Sequence, residues 1–252
     1  MTHNLDLVTT SDGPWTLNRD EFDLKRVQAM KSSTSVAVVI PAKNEADTIG
    51  AVLEAVNFHV DFVDELVVVD DHSNDDTPTV ANRHGAKVLH LEGRGGKGEA
   101  MRAGLGATSS ELVVFLDADV LNTTTEFVPR LVQPLLERAD IELVKGYYER
   151  PLHNMPTGGG RVNELAARPI LALLYPGLGE IRQPLAGETA GRRSAFEEIT
   201  LETAYGVEIA LLIDIARHFG VNREQARIMP ALGIRRNAGR VLGLDESLVK
   251  PP

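Results

Sequence analysis

The sequence predicts an α/β fold in which helices flank a mostly parallel sheet. Short continuous runs of β-branched residues recur along the chain, and such runs are typical of strands buried on both faces of a parallel sheet. Segments with helical spacing of apolar residues alternate with these runs, which favours right-handed crossovers between parallel strands. The 252 residues are 43% hydrophobic and 25% charged, as expected for a folded protein with a sizeable core.

The elements follow one another regularly. The first predicted strand covers 36–40 and ends at Pro41, and Asp47 or Thr48 caps the next helix. The apolar stripe of that helix consists of Ile49, Val52, Leu53 and Val56. Further strands are predicted over 66–70, 87–91, 112–116 and 141–145. Further helices are predicted over 78–84, 98–105, 127–138, 161–175 and 206–219.

The chain shows no internal repeat and no low-complexity linker, which favours one continuous domain. We interpret residues 1–34 as an N-terminal arm, within which Phe22, Leu24, Val27 and Met30 fit one face of a short helix. The predicted domain spans 35–240, with a first half over 35–150 and a second half over 151–240. Residues 241–252 form a tail.

Composition excludes several classes of function. With 26 basic and 36 acidic residues the formal charge is −10, which disfavours binding of nucleic acid because phosphate backbones are held by basic surfaces. The absence of cysteine excludes disulfides, thiolate metal sites and cysteine nucleophiles. No apolar run approaches the ~20 residues of a membrane span, and the N-terminus lacks the pattern of a secretory signal. We therefore expect a cytoplasmic protein without a membrane span.

The residues that follow the predicted strands carry the chemistry, because ligands of parallel sheets bind beyond the carboxyl ends of the strands. Asp117-Ala118-Asp119 comes directly after the strand over 112–116. Hard divalent cations need only one or two carboxylates besides water and substrate phosphates. This triplet is therefore a candidate site for Mg²⁺ and a diphosphate, although on its own it is equally well explained as a turn.

Two further segments point to a phosphorylated nucleotide. The turn over 95–100 is rich in glycine and opens a helix, so its amides and Lys97 are suited to phosphate. It lacks the spacing of a Walker A loop and of a dinucleotide fingerprint, which disfavours P-loop hydrolysis and hydride transfer. The polar cluster over 70–77 is suited to a nucleobase and ribose, and equally to an Asx turn.

Taken together, four motifs resemble the nucleotide-sugar half of a GT-A-type glycosyltransferase. They are Pro41-Ala42-Lys43-Asn44-Glu45, the cluster that begins at Asp70, Gly96-Lys97-Gly98-Glu99-Ala100 and Asp117-Ala118-Asp119. The second half resembles the glucosyl-3-phosphoglycerate synthases through motifs over 144–151, 157–165, 183–188 and 205–209. The resemblance extends from about Val36 to Asn237.

The resemblance implies a retaining transfer of glucose from UDP-glucose to 3-phosphoglycerate that depends on Mg²⁺ or Mn²⁺, carried out by a homodimer. It implies that the donor nucleotide is contacted by Pro41, Ala42, Asn44, Glu45, Asp71, Lys97, Asp117 and Ala118. Asp117 and Asp119 would hold the metal, with Asp119 the direct ligand. The phosphorylated acceptor would be bound by Gly160, Arg161, Asn163 and Arg235. The reacting sugar would lie beside Tyr205 and Glu208, which together with Asp119 are the candidate catalytic residues.

The sequence departs from this family at four points. Residues 232–237 lack the histidine that usually completes the metal site, so that Asn237 or a deletion stands in its place. Asn163 replaces a threonine, and Lys43 replaces an apolar residue. The chain also ends at Pro252, before the extension that family members generally have, so we expect a short variant.

These departures leave two alternatives open. One is a transferase with another nucleotide sugar or acceptor, and the other is a non-catalytic nucleotide-sugar-binding protein. A sugar-phosphate nucleotidyltransferase is disfavoured, because Val39-Ile40-Pro41-Ala42 is not the glycine-rich loop with which such enzymes begin.

Overall fold

A computed structural model gives the structure, which describes residues 15–17, 22–59, 61–147, 151–152, 155–158, 162–203, 206–220 and 224–227. The strands are β1 (Trp15–Leu17), β2 (Val36–Ala42), β3 (Glu65–Asp70), β4 (Lys87–His90), β5 (Leu112–Phe115), β6 (Leu143–Tyr147), β7 (Pro151–Leu152), β8 (Met155–Gly158), β9 (Thr189–Arg192) and β10 (Glu224–Arg227). The α-helices are α1 (Leu24–Lys31), α2 (Ile49–Asn57), α3 (Thr77–Arg83), α4 (Lys97–Gly106), α5 (Phe127–Glu137), α6 (Arg168–Leu174), α7 (Arg193–Glu197) and α8 (Val207–Phe219).

The predicted α/β fold with a mostly parallel sheet is confirmed. Eight strands form one sheet in the order β1-β10-β6-β9-β5-β2-β3-β4, and β7 pairs with β8 in a separate hairpin. Neighbouring strands of the large sheet are parallel except at β9, which runs antiparallel to both β5 and β6. Helices cover both faces of the sheet, as crossover connections between parallel strands require.

The core lies in two layers, one on each face of the sheet. Side chains alternate along β2, so that Val38 and Ile40 pack in one layer and Val39 in the other. Helix α4 packs closely on β2 at Gly104, where a Cβ would lie 2.2 Å from Cγ1 of Val39. The predicted short helix of the N-terminal segment is observed as α1, and its Val27 is fully buried in the core.

Several segments differ from the predicted elements, and β1, β7, β8, β10 and α7 were not predicted. The strand predicted over 141–145 lies two residues later, as β6. The helix predicted over 161–175 is divided into a π-helix, Asn163–Ala167, and α6. Strand β9 was not predicted, because Thr189-Ala190-Gly191-Arg192 has no long apolar side chain, although it occupies the middle of the sheet. Thr189, Ala190 and Gly191 are buried, and Ala190 packs in one of the two core layers.

Within the described ranges, no helix combines the length and the apolar character needed to cross a lipid bilayer. The predicted divisions at 34/35, 150/151 and 240/241 stay proposals. Strand β1 lies within the predicted arm over 1–34 and nevertheless belongs to the large sheet, where it pairs in parallel with β10.

Candidate active site

The candidate residues of the first half lie together beyond the carboxyl ends of β2, β3 and β5. These strands are parallel neighbours, so the loops that follow them meet at one edge of the sheet. Ala42 ends β2, Asp70 ends β3, and Asp117 follows β5 by two residues. The edge where a parallel sheet normally binds its ligand therefore carries the predicted nucleotide-sugar motifs.

At the centre of this edge, one ammonium group lies between two carboxylates. Nζ of Lys97 is 2.6 Å from Oδ1 of Asp117 and 2.5 Å from Oε1 of Glu208. Lys97 begins α4 and Glu208 lies in the first turn of α8, so the contact joins the two halves of the chain. About four-fifths or more of each of these three side chains is buried.

This arrangement keeps Lys97 charged. Burial by itself would lower the pKa of Lys97, but the carboxylates of Asp117 and Glu208 outweigh burial and raise the pKa above its ordinary value. The two carboxylates around Lys97 outnumber its one positive charge. Asp119, two residues after Asp117, is also buried.

Asp117 and Asp119 fit a cation that is shared with a substrate. Among the residues that the structure describes, no group of three or more His, Asp or Glu side chains is placed to hold a metal ion. Oxygen ligands from one or two carboxylates are what Mg²⁺ takes when water and substrate phosphates complete its shell. The donor set therefore suits Mg²⁺ or Mn²⁺ bound together with a diphosphate. Residues 232–237, where the family histidine is missing, lie outside the described residues.

Asp71 connects the end of β3 to the glycine-rich turn. Its Oδ2 accepts a hydrogen bond from the backbone N–H of Gly96 at 3.0 Å, and Nζ of Lys43 lies 3.8 Å from the same oxygen. The other oxygen is 2.9 Å from Nδ1 of His72. Gly96 adopts a φ of 121°, which a side chain would disfavour. Asp71 and Lys97 are thereby brought to the same part of the site.

The loop after β2 is fixed to the turn after β3 by hydrogen bonds. The backbone N–H of Asn44 donates to Oγ of Ser73 at 2.9 Å, and the N–H of Glu45 donates to Oγ1 of Thr77 at 2.7 Å. In return, Oδ1 of Asn44 accepts from the N–H of Asn74 at 2.7 Å. These bonds place the predicted donor residues over 41–45 against the polar cluster over 70–77.

Of the predicted acceptor residues, the structure describes Asn163. This side chain is buried in the π-helix, and its Oδ1 accepts a hydrogen bond from the backbone N–H of Leu185 at 3.3 Å. Single π-helical turns are frequent at functional sites. Besides Asn163 and Glu208, the residues predicted for this half are Gly160, Arg161, Tyr205 and Arg235, which lie outside the described residues.

The segment over 183–188 touches both halves of the site. At Gly187 its backbone lies against Asp117, since a Cβ at this position would be 2.2 Å from both carboxylate oxygens. Two residues earlier, the N–H of Leu185 donates to Asn163. The sequence motif was recognised, but its contacts with both Asp117 and Asn163 were not.

Lys145 is a second feature that was not recognised as part of this region. Its side chain is buried in β6, and Nζ donates to the carbonyl of Ala186 and, at 2.9 Å, to Oγ1 of Thr189. Burial lowers the pKa of Lys145 to about 8, and the Glu208 carboxylate opposes this shift. The signal in the sequence was a lysine within an otherwise apolar strand.

Comparison with known proteins defines the class of protein to which the chain belongs. The model of the family described as "Glycosyl transferase family 2" matches residues 37–199, which include the loops after β2, β3 and β5 and the segment over 183–188. The fold and the site are thus those of a nucleotide-sugar glycosyltransferase.

Curated relatives and solved structures narrow the family. A glucosyl-3-phosphoglycerate synthase from Mycolicibacterium paratuberculosis is 41% identical over 247 residues, covering 92% of this chain and 74% of the relative. One from Mycobacterium tuberculosis is 42% identical over 242 residues, covering 90% and 74%. The chain belongs to glycosyl transferase family 2, among the glucosyl-3-phosphoglycerate synthases.

Two crystal structures of the Mycobacterium tuberculosis synthase show the ligands of that enzyme. In one, with Mn²⁺, UDP-glucose and phosphoglyceric acid, the TM-score is 0.77 at 41% identity, and the match covers 86% of this chain and 77% of that chain. In the other, with Mg²⁺ and UDP, the TM-score is 0.77 at 37% identity, with 92% and 82% covered.

Proposed function

We propose that this chain transfers the glucosyl group of UDP-glucose to 3-phosphoglycerate, with retention of configuration and in the presence of Mg²⁺ or Mn²⁺. The observation that carries the proposal is that Lys97 bridges Asp117 and Glu208 beyond the carboxyl ends of β2, β3 and β5. The chain that carries this bridge is 41% identical to a glucosyl-3-phosphoglycerate synthase. The charged groups of Lys97, Asp117 and Glu208 are placed where they can act on a donor diphosphate and on the reacting sugar.

In the proposed donor site, the loops after β2 and β3 hold the nucleotide and the cluster around Lys97 holds the diphosphate. The nucleotide contacts are assigned to Pro41, Ala42, Asn44, Glu45, Asp71, Lys97, Asp117 and Ala118. Asp119 and Asp117 would hold the divalent cation, which when bound neutralises negative charge that develops on the leaving diphosphate. Lys97 is suited to donate to a diphosphate oxygen because its neighbours keep it protonated.

In the proposed acceptor site, Gly160, Arg161, Asn163 and Arg235 bind the phosphorylated acceptor. An arginine fork and helix amides suit a substrate that carries both a carboxylate and a phosphate. Tyr205 and Glu208 lie beside the transferred sugar in this proposal. Glu208 orients rather than attacks, because its carboxylate is already engaged by Lys97. The acceptor hydroxyl then approaches from the face that the diphosphate leaves, without a covalent enzyme intermediate.

Asn163 favours a second candidate, a transferase with a different acceptor. Its Oδ1 is engaged by the backbone of Leu185, which leaves the amide NH₂ as the group that can face a ligand. A threonine hydroxyl at this place both donates and accepts, whereas the NH₂ group only donates. The change from threonine to asparagine would therefore suit a substrate whose oxygen atoms accept hydrogen bonds from residue 163 and donate none to it.

A panel of UDP- and GDP-sugars tests both candidates. Each sugar is incubated with Mg²⁺ with or without 3-phosphoglycerate, and release of nucleoside diphosphate is measured. Release from UDP-glucose that requires phosphoglycerate supports the proposed function. Release that does not depend on phosphoglycerate is hydrolysis of the donor, which contradicts phosphoglycerate as the acceptor and leaves the acceptor open. Binding of the donor without any release contradicts a catalytic function and supports a nucleotide-sugar-binding protein.

We also propose that the chain acts as a homodimer in the cytoplasm. The absence of cysteine suits a reducing compartment. The segment over 162–174 carries five exposed large apolar side chains: Val162, Leu165, Ile170, Leu173 and Leu174. Exposed apolar patches of this kind mark interaction surfaces, and a two-fold contact would bury the same apolar side chains on both copies.

Light scattering tests the dimer. The wild type is expected at twice the chain mass of 27.4 kDa, and a Leu165→Glu, Leu173→Glu double variant at the monomer mass. A monomeric wild type contradicts the homodimer, and a double variant that stays dimeric contradicts the segment over 162–174 as its interface.

A further inference from the structure

The segment over 183–188 connects the two halves of the site, so its placement sets their separation. Its Gly187 leaves no room for a Cβ against the Asp117 carboxylate. Its Leu185 donates a hydrogen bond to the buried Oδ1 of Asn163. Movement of this segment would therefore displace the donor carboxylate and the acceptor half relative to each other.

Lys145 holds this segment from within the sheet. The ammonium group donates to the carbonyl of Ala186, in the middle of the segment, and to Oγ1 of Thr189 at the start of β9. Next to it in β6, the N–H of Gly146 donates to the carbonyl of Glu188 at 2.8 Å. The lysine side chain is only 2% exposed, so these bonds are shielded from competing water.

A lysine at this place is a costly choice for packing alone. Removing an ammonium group from water carries a penalty that a few hydrogen bonds only partly offset, and an apolar side chain of similar length fills the same volume without it. What the lysine adds is a charged donor that reaches a backbone carbonyl and a hydroxyl at the same time. Hydrogen bonds from charged donors are about twice as strong as neutral ones.

We propose that Lys145 is a positioning residue that fixes the 183–188 segment and thereby the distance between the donor and acceptor sites. This inference rests on the proposed function, since it assigns Asp117 and Asn163 to opposite substrates. Lys145 is buried beneath the segment and acts through Ala186 and Thr189. Its effect is expected on the rate of transfer more than on the affinity for either substrate, because correct relative orientation of two bound reactants controls the chemical step.

Two pairs of variants test the proposal. Lys145→Met removes the charged donor and keeps the length of the side chain, and kcat is expected to fall about 10- to 100-fold with a change in either KM of less than about threefold. Thr189→Val removes the hydroxyl at constant shape, and kcat is expected to fall in the same direction. Thr189→Ser keeps the hydroxyl and is expected to stay close to wild type. If Lys145→Met does not fold, the two Thr189 variants decide.

Hydrogen exchange gives a readout that does not depend on the acceptor. In Lys145→Met the amides of 185–188 are expected to exchange faster, while those of β2 and β5 keep their protection. Unchanged exchange over 185–188 together with kcat within twofold of wild type would overturn the proposal. A wild type without phosphoglycerate-dependent turnover would instead contradict the proposed function, and the exchange experiment would still decide the role of Lys145.

Discussion

Lys97 and Asp117 form an ion pair in which Nζ and Oδ1 are 2.6 Å apart, at the point where the glycine-rich turn meets the residues after β5. Glu208 approaches the same ammonium group from α8, so one lysine holds carboxylates from both halves of the chain. The pair places a permanent positive charge where the proposed donor diphosphate lies. Loss of this charge would therefore change the interaction of the site with the diphosphate.

Replacement of Lys97 by methionine is expected to lower kcat/KM for UDP-glucose at least about 100-fold, because a positioned donor to the leaving group is lost. The two carboxylates would then face each other without a cation between them. Steady-state kinetics measures the effect. Lys87→Met, at an exposed position of the edge strand β4, is the matched control and is expected to keep wild-type kinetics. A Lys97→Met enzyme within threefold of wild type would refute the role.

Asp119→Ala is expected to abolish metal-dependent transfer, because it removes the proposed direct ligand of the cation. Binding of Mn²⁺ in the presence of UDP, followed by electron paramagnetic resonance, is expected to weaken in parallel with turnover. Asp140→Ala serves as the control, since Asp140 is exposed and pairs with Arg138 away from the site. Turnover near the wild-type rate in Asp119→Ala would show that the metal assignment is wrong.

Gly187→Ala is expected to reduce kcat about 10- to 100-fold without loss of the fold, because its methyl group would displace the Asp117 carboxylate. Gly106→Ala is the matched glycine control, since a Cβ there would meet nothing within 4 Å. Kinetics and circular dichroism of both variants provide the comparison. Equal activity of the two variants would mean that the segment over 183–188 does not constrain Asp117.

The depressed pKa of Lys145 predicts a dependence of stability on pH. Between about pH 8 and 10.5 the unfolded chain still binds a proton that the folded chain has released, so the free energy of unfolding rises with pH across this window. The charged groups that act on Lys145 are Glu208, Lys97, Glu188 and Asp117.

Urea denaturation at several pH values, without divalent cations, measures this dependence. Relative to Lys145→Met, which lacks the titrating group, the wild type is expected to gain about 3 kcal/mol at most across the window. A constant difference between the two proteins from pH 8 to 10.5 would contradict the depressed pKa.

The sequence predicted those parts of the fold that depend on local pattern. Strand β2 was recognisable because its residues are almost all apolar, and the position of Asp117 followed from the end of β5. Strand β9 was missed because small residues in the middle of a sheet have no distinctive local pattern. The contacts of Lys145 were equally inaccessible, since Ala186 lies 41 positions away and only the folded sheet brings them together.

In the candidate site, too, local sequence pattern predicted some features and packing determined the others. The donor motifs could be located because each follows a predicted strand, and parallel strands bring their ends to one edge. That Glu208 reaches Lys97 depends on how α8 packs on the sheet, which neither propensity nor spacing determines. Spacing gives the members of a site along the chain, whereas the distances between them come from packing.

Proton NMR of the wild-type reaction with UDP-glucose, 3-phosphoglycerate and Mg²⁺ tests the proposed function most directly. The expected result is equal formation of UDP and of a glucosyl-phosphoglycerate with the small anomeric coupling of an α-glucoside, dependent on both metal and acceptor. Free glucose and UDP formed without a glucosylated acceptor, or a β-linked product, would contradict it.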